Sequence, residues 1–227
     1  MQAVILAAGR GVRMKPLTDT TAKPLLKVAG QPLLYHTFRA LPDAVNEVIV
    51  VIGYLGEQIK AYLGSTFRGR KIRYVVQQTL QGTAKALWEV RTLLRGTFLV
   101  LMADDMYRKE DILKCLEHER ALVAIKSERN GPGGKVVLDA RGVLRDVVEG
   151  KNHPAGTLVS VGAFLLTPEI FSYEPVKLTD REGEWGLPQT IVRMAKDLPV
   201  SIVYATRWIK VTSPEDFVRA EKLLEAP

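Results

Sequence analysis

The sequence predicts an α/β fold: a mainly parallel sheet with helices on both faces, followed by a β-rich insertion. Three observations predict it. Through about residue 105, short apolar runs alternate with segments of helical spacing, the pattern of strand–helix–strand units. The runs are apolar at every position, as in "EVIVVI", which is how a strand covered on both faces reads. Beyond Asp105 the alternation loosens into a glycine-punctuated stretch with a hairpin signature. The first two observations make the fold Rossmann-like.

The elements follow in order. "AVILAA" is the first strand, and "PLLYHTFRALP" is a helix with Pro32 near its start. "EVIVVIG" is a doubly buried strand, and "GEQIKAYLG" a helix ending at Gly64. "KIRYVVQQ" is a strand, and "GTAKALWEVRTLLRG" a helix from about Thr83 that Gly96 ends. "TFLVLMADD" is the next strand. "EDILKCLEHER" has helical spacing and carries Cys115, read as a structural helix residue. "ALVAIKS" is a strand, and "NGPGGKVVLDARGVLRDVVEG" a hairpin turning near Asp139–Gly142. "TLVSVGAFLL" is a strand, "LPQTIVRMA" a helix and "VSIVYA" a strand. "SPEDFVRAEKLLE" is a helix with Ser213 as N-cap and Pro214 in its first position. No repeat, low-complexity tract or long linker divides the 227 residues. The expectation is a single domain over 1–227.

Composition narrows the function. Hydrophobic content is 47% and charged content 25%, as in ordinary globular chains. No apolar run approaches the ~18 residues of a membrane span, and no secretory signal is visible. The single cysteine excludes an internal disulfide and suits a reducing, cytoplasmic setting. The net charge of +7 raises nucleic acid as a ligand, but the cations are dispersed among 25 acids with no basic tract. Such an excess equally suits a small polyanion, so neither nucleic acid nor membrane is expected as a partner. His36, His118 and His153 have no metal-ligand spacing.

The chemistry begins at "LAAGRGVRMKPLTDTTAKPLL". A glycine turn after a buried strand lets backbone N–H groups approach phosphate oxygens. A dinucleotide fingerprint is excluded by Met14 and by Pro16, which would break the helix it opens. The Gly-Lys-Ser/Thr of a P-loop is absent. A solvated cluster of cations leaves the second cation–proline pair, Lys23-Pro24, unexplained. What remains is a phosphate cradle followed by a basic loop.

The run through "LKVAGQPLL" closely resembles the signature of the sugar-1-phosphate nucleotidylyltransferases: Gly-x-Gly-x-Arg, Pro-Leu-Thr, Lys-Pro. Gly9, Gly11, Arg13, Pro16, Leu17, Thr18, Lys23 and Pro24 fill it. The resemblance implies the nucleotide-diphospho-sugar transferase fold, with a nucleotide half at about 1–105 and a sugar-binding and C-terminal part at about 106–227. It implies that Arg13 and Lys23 are catalytic and that Leu6, Ala8, Gly9 and Gly11 line the nucleotide. "QQTLQGTAKAL" resembles the base-binding segment and nominates Gln77, Gly82 and Thr83. The amide of Gln77 can donate and accept at a base edge at once. "LMADDMY" puts Asp104, with Asp105 beside it, where the family holds Mg²⁺. "GPGGKV" and "VVEGK" resemble the sugar side and nominate Gly134, Glu149 and Lys151. Ser160 stands where many members have Asn, and "GEWGLPQTI" resembles a further family segment.

The implied substrates are a nucleoside triphosphate, UTP or dTTP favoured, and a sugar 1-phosphate. A homodimer is an expected state, because members often pair. Some relatives append an acyltransferase β-helix, and no such second activity is expected here. One departure stands out: Lys210 replaces the Asp of the Trp-x-Asp segment, often a second metal ligand. This leaves open whether Asp104 serves with phosphates and waters, whether Asp216 compensates, whether Lys210 itself meets phosphate, or whether activity is lost. The alternative from another class is a catalytically weak nucleotide-sugar-binding regulatory protein.

Overall fold

The computed structural model describes residues 1–225. Ten strands form one sheet: β1 (Gln2–Ala7), β2 (Glu47–Ile52), β3 (Thr66–Phe67), β4 (Arg70–Val76), β5 (Phe98–Met102), β6 (Ala121–Lys126), β7 (Gly131–Leu138), β8 (Leu144–His153), β9 (Leu158–Leu166) and β10 (Ser201–Tyr204). The helices are α1 (Leu33–Ala40), α2 (Gly56–Leu63), α3 (Gly82–Trp88), α4 (Lys109–Cys115), α5 (Leu187–Ala195) and α6 (Pro214–Glu225). None of them is long and apolar enough to cross a membrane.

The order is β8-β7-β9-β5-β1-β2-β4-β3, with β6 and then β10 branching from β9. The central four strands, β5-β1-β2-β4, are parallel. β9 joins them to the β-rich part by running antiparallel to β5, β6 and β7. The predicted hairpin is β7–β8, and its turn closes between Asp139 and Val143 with Gly142 at φ 79°.

The all-apolar runs are explained by two-sided burial. Ile5, Val48, Val50 and Ile52 pack with Phe38 of α1, Ile59 of α2 and Ile112 of α4. Val4, Ile49, Val51 and Phe98 pack on the other face with Leu87 of α3 and Ile191 of α5. Gly64 ends α2 at φ 63°. At the start of α6, Asp216 accepts hydrogen bonds from the backbone N–H groups of Thr212 (2.8 Å) and Ser213 (3.0 Å). This is a capping box, in which the third helical residue reaches back to the N-cap.

Two features differ from the sequence reading. The helix expected to run to Gly96 stops at Trp88, and a separate 3₁₀ turn covers Arg91–Leu93. Its ladder tightens where Val90 N–H donates to Leu87 O, and this brings Val90 and Leu94 both into the core. In addition, Asp105–Tyr107 pairs antiparallel with Trp208–Lys210 in a short ribbon, with Lys210 opposite Asp105. Met106 and Ile209 of this ribbon pack with Leu33 and Ala220 in a third apolar cluster.

Cys115 is fully buried, and burial, reinforced by the charge of Asp111, pushes its thiol up to about 12. The native protein is therefore expected to react with a disulfide reagent at about pH 8 only after unfolding. Ready labelling without denaturant would contradict this burial.

Candidate active site

The carboxyl ends of the parallel strands open into a cavity of about 560 Å³. Its lining includes the residues to which the resemblances gave catalytic, nucleotide-binding and metal roles: Leu6, Ala8, Gly9, Gly11, Arg13, Lys23, Gln77, Gly82, Thr83 and Asp104. Ligands of open α/β sheets sit in this position.

The two glycines of the turn serve different needs. A Cβ on Gly11 would lie 3.0 Å from the Cβ of Lys23 and 3.0 Å from Thr18 Cγ2, and the backbone is left-handed at φ 63°. Gly11 is thus required by packing, and the Thr18 hydroxyl donates to its carbonyl at 3.0 Å. A Cβ on Gly9 would meet nothing within 4 Å. The fold leaves room for a side chain there, and that room opens into the cavity that Gly9 lines.

Lys23 is buried, and its ammonium donates to the Asp104 carboxylate in an ion pair. Thr18 and Lys23 pack over Gly11, while Asp104 lies just beyond the end of β5, so this pair ties the basic loop to the sheet. Arg13 reaches the same cavity and, among the described residues, pairs with no carboxylate. Asp105 differs from its neighbour. Burial, with the charge of Asp104 second, pushes its carboxyl up to about 7, against the opposing pull of Lys210 and Lys23.

The base-side segment is clasped to the far half of the chain. Gln77 is buried, and its amide donates to Gly82 O at 3.3 Å. A Cβ on Gly82 would lie 2.6 Å from Trp185 O, and φ is 85°. Trp185 N–H donates to Gln81 O (2.9 Å), and Leu187 N–H donates to the Thr83 hydroxyl (3.0 Å). Gly82 and Thr83 therefore also hold the Trp185–Leu187 segment against the cavity.

The sugar-side nominees lie beyond the cavity lining. Gly134 and Glu149 face each other across the β7–β8 pair. A Cβ on Gly134 would come within 2.7 Å of Val147 and 3.1 Å of Glu149 Oε1. Lys151 is exposed farther along β8. Arg181 connects this region to the cavity: it lines the cavity and donates to Glu149 at 2.9 Å. Arg181, Glu184, Arg10 and Thr212 line the cavity without having been nominated. The quoted "GEWGLPQTI" contains Glu184 and the opening signature contains Arg10, but residue type alone did not aim them, and Arg181 lay outside both segments. Lys210 donates to Pro132 O (3.3 Å) beside the glycine-rich loop. Asp216, weighed as a substitute metal carboxylate, is committed to its capping box and to Arg129 at 3.0 Å.

Comparison with known proteins agrees with this geometry. The family model for nucleotidyl transferases matches residues 2–226. The UTP–glucose-1-phosphate uridylyltransferase AglF of Haloferax volcanii is 30% identical over 99% of this chain and 97% of its own length. The bifunctional protein GlmU of Methanocaldococcus jannaschii is 31% identical over 99% of this chain, which spans only 54% of that protein. A Bacillus anthracis structure, provisionally described as a glucose-1-phosphate thymidylyltransferase, superposes with a TM-score of 0.83. It is 20% identical and covers 100% of this chain and 96% of its own, a likeness of fold.

Two outcomes test the site. Gly9→Ala should leave the melting temperature nearly unchanged yet weaken nucleoside triphosphate binding about tenfold or more, whereas Gly11→Ala should cost about 1 kcal/mol or more of stability. Calorimetric melting and nucleotide titration of both variants separate the two roles, and equal melting temperatures would refute the distinction. For Asp105, the folded carboxyl keeps its proton up to about 7 while an unfolded one loses it near 3.8. Wild-type stability in metal-free buffer should therefore fall, relative to Asp105→Asn, as pH rises through that window. A difference in melting temperature that stays constant with pH would show that Asp105 is not held protonated by burial.

Proposed function

This chain belongs to the nucleotidyl transferase family, and from that premise we propose that it joins a nucleoside triphosphate to a sugar 1-phosphate, releasing pyrophosphate. UTP or dTTP is the favoured nucleotide on the character of the "QGTA" segment. The observation that carries the reading is the cavity that gathers the glycine turn, Arg13, Lys23, Gln77 and Asp104 at the carboxyl ends of parallel strands.

In this reaction a phosphate oxygen of the sugar 1-phosphate attacks the α-phosphorus. The bond from that phosphorus to the β-bridging oxygen breaks, and pyrophosphate leaves with the electron pair. The nucleophile is already an anion, so no general base is needed. The task is to align two polyanions and neutralise their charge. Arg13 and Lys23 supply fixed cations beside the reacting phosphate. Gln77 reads the base, with Gly82 and Thr83 shaping its slot. Glu149 binds sugar hydroxyls beside Gly134, and Lys151 is assigned to the sugar phosphate.

Mg²⁺ fits with one protein carboxylate. Among the described residues no three His, Cys, Asp or Glu groups are placed to hold a metal together. Asp104 faces the cavity and is partly accessible, and Mg²⁺ is commonly held by one or two carboxylates together with phosphate oxygens and waters. Asp104 would hold the ion, which when bound supplies Lewis-acid neutralisation of phosphate charge. Lys210 is the observation that favours the second reading, a weakly catalytic nucleotide-sugar-binding regulator.

The test is a matrix of five nucleoside triphosphates against a panel of sugar 1-phosphates with Mg²⁺ and pyrophosphatase. Acceptor-dependent phosphate release from one pair is expected. No release alongside tight nucleotide binding would favour the regulator. Arg13→Ala and Lys23→Ala should each lower turnover at least about tenfold, or ~1.4 kcal/mol. Rates near wild type would remove them from the catalytic set.

A further inference from the structure

A second, smaller cavity opens at the same edge of the sheet as the first. β5 and β6 both run antiparallel to β9, so their carboxyl ends point the same way. The small cavity lies at the end of β6, measures about 120 Å³ and includes Lys126, Lys210 and Thr212 in its wall. Thr212 also lines the larger cavity, so the two adjoin. Sites that enclose a whole ligand start at about 300 Å³. This one has room for a single substituent of a molecule whose body lies outside it.

Its charge says what kind of substituent. Of its ionic side chains, Arg129 donates to Asp216 (3.0 Å) and Arg219 to Glu128 (2.7 Å). Both carboxylates of the wall are thereby taken. Lys126 and Lys210 are left, and neither pairs with a carboxylate among the described residues. Asp105, opposite Lys210 in the short ribbon, is buried and forms no ion pair with it. The ammonium of Lys210 has only weak partners, Pro132 O at 3.3 Å and the Trp208 ring with its centre 5.7 Å away. An anionic oxygen is a stronger partner than either. Position 210 is also where a cation stands in place of the Asp of the Trp-x-Asp segment. That exchange inverts what the position attracts.

Strand β7 connects this cavity to the sugar side. Pro132, in the wall of the small cavity, and Gly134, which faces Glu149, are two residues apart on it, or about 7 Å. A sugar held at Gly134 and Glu149 therefore has the small cavity within reach of its substituents. We propose that this cavity is an acceptor subsite, in which Lys210 and Lys126 bind a second anionic group, carboxylate or phosphate, that the sugar 1-phosphate carries away from its anomeric carbon. This inference rests on the transferase reading above and names the class of acceptor.

The experiment compares acceptors on the full chain with Mg²⁺ and the nucleoside triphosphate it uses. Glucose and galactose 1-phosphates are set against the same sugars carrying a 6-carboxylate (the uronic acid 1-phosphates) or a 6-phosphate. Wild type, Lys210→Ala, Lys210→Arg and Lys126→Ala are assayed. In the wild type, kcat/KM for one kind of anionic acceptor should exceed that for its neutral counterpart at least about tenfold. The favoured kind shows whether the group is a carboxylate or a phosphate. Lys210→Ala should lower that preference about tenfold, chiefly through KM, with Lys210→Arg keeping much of it and Lys126→Ala lowering it less. The wild-type comparison needs no variant to fold. A wild type that uses neutral acceptors as well as anionic ones overturns the subsite alone, as does a preference that Lys210→Ala leaves unchanged. A wild type that turns over neither kind overturns the subsite and the transferase reading together.

Discussion

The rest of the site depends on one partly buried ion pair. Lys23 lies in a single 3₁₀ turn, far in sequence from the end of β5, and nothing in local propensity holds it there. Its ammonium meets Asp104, and its stem packs over Gly11. A buried charge needs such a partner, because leaving either charge alone costs far more than the pair returns in net stability. The pair is therefore better understood as a constraint on geometry than as a source of stability. It fixes the basic loop against the strand end. It also means that Lys23 and Asp104 face the cavity already positioned by each other.

Around that point the candidate residues spread along the sheet. Gln77 and Gly82 lie at the end of β4 and the start of α3, the glycine turn and Asp104 follow β1 and β5, and Gly134 and Glu149 lie on β7 and β8. The glycines among them yield space for different reasons. Gly11 yields space to Lys23, Gly82 yields space to the Trp185 backbone, and Gly9 yields space to nothing in the protein.

Much of this was legible in the sequence because the governing interactions are local or periodic. The runs of β1, β2 and β5 carry their two-sided burial in composition, and the Ser-Pro-Glu-Asp start of α6 carries its own cap. The signature residues meet in one cavity because a strand, a turn and a short loop keep them close. What escaped depends on partners far away in the chain. The Asp105–Tyr107 and Trp208–Lys210 ribbon is three residues a side, too short for periodicity, and is set by docking of distant segments. The early end of α3 reflects burial of Val90 and Leu94, a tertiary demand that overrides a reasonable helical pattern. Arg181 could not be tied to Glu149, 32 residues away, without the folded loop between them. Distance in sequence likewise hid the pairing of Asp216 with Arg129, 87 residues away.

The clasp between Gly82–Thr83 and Trp185–Leu187 bears on how such a protein can be diversified. An obvious route to new nucleotide sugars is to graft the front of one relative onto the back of another, cutting near Asp105. Here such a graft would divide β9 from β5, with which it is hydrogen-bonded, and would bring the helix that begins at Gly82 against a foreign backbone. That contact has no side chain to trim, since the collision at Gly82 is with main-chain atoms. A workable chimera would have to carry the segment around 178–187 with the half that holds Gly82, so the unit of exchange is defined by a contact between chain segments rather than by a stretch of sequence.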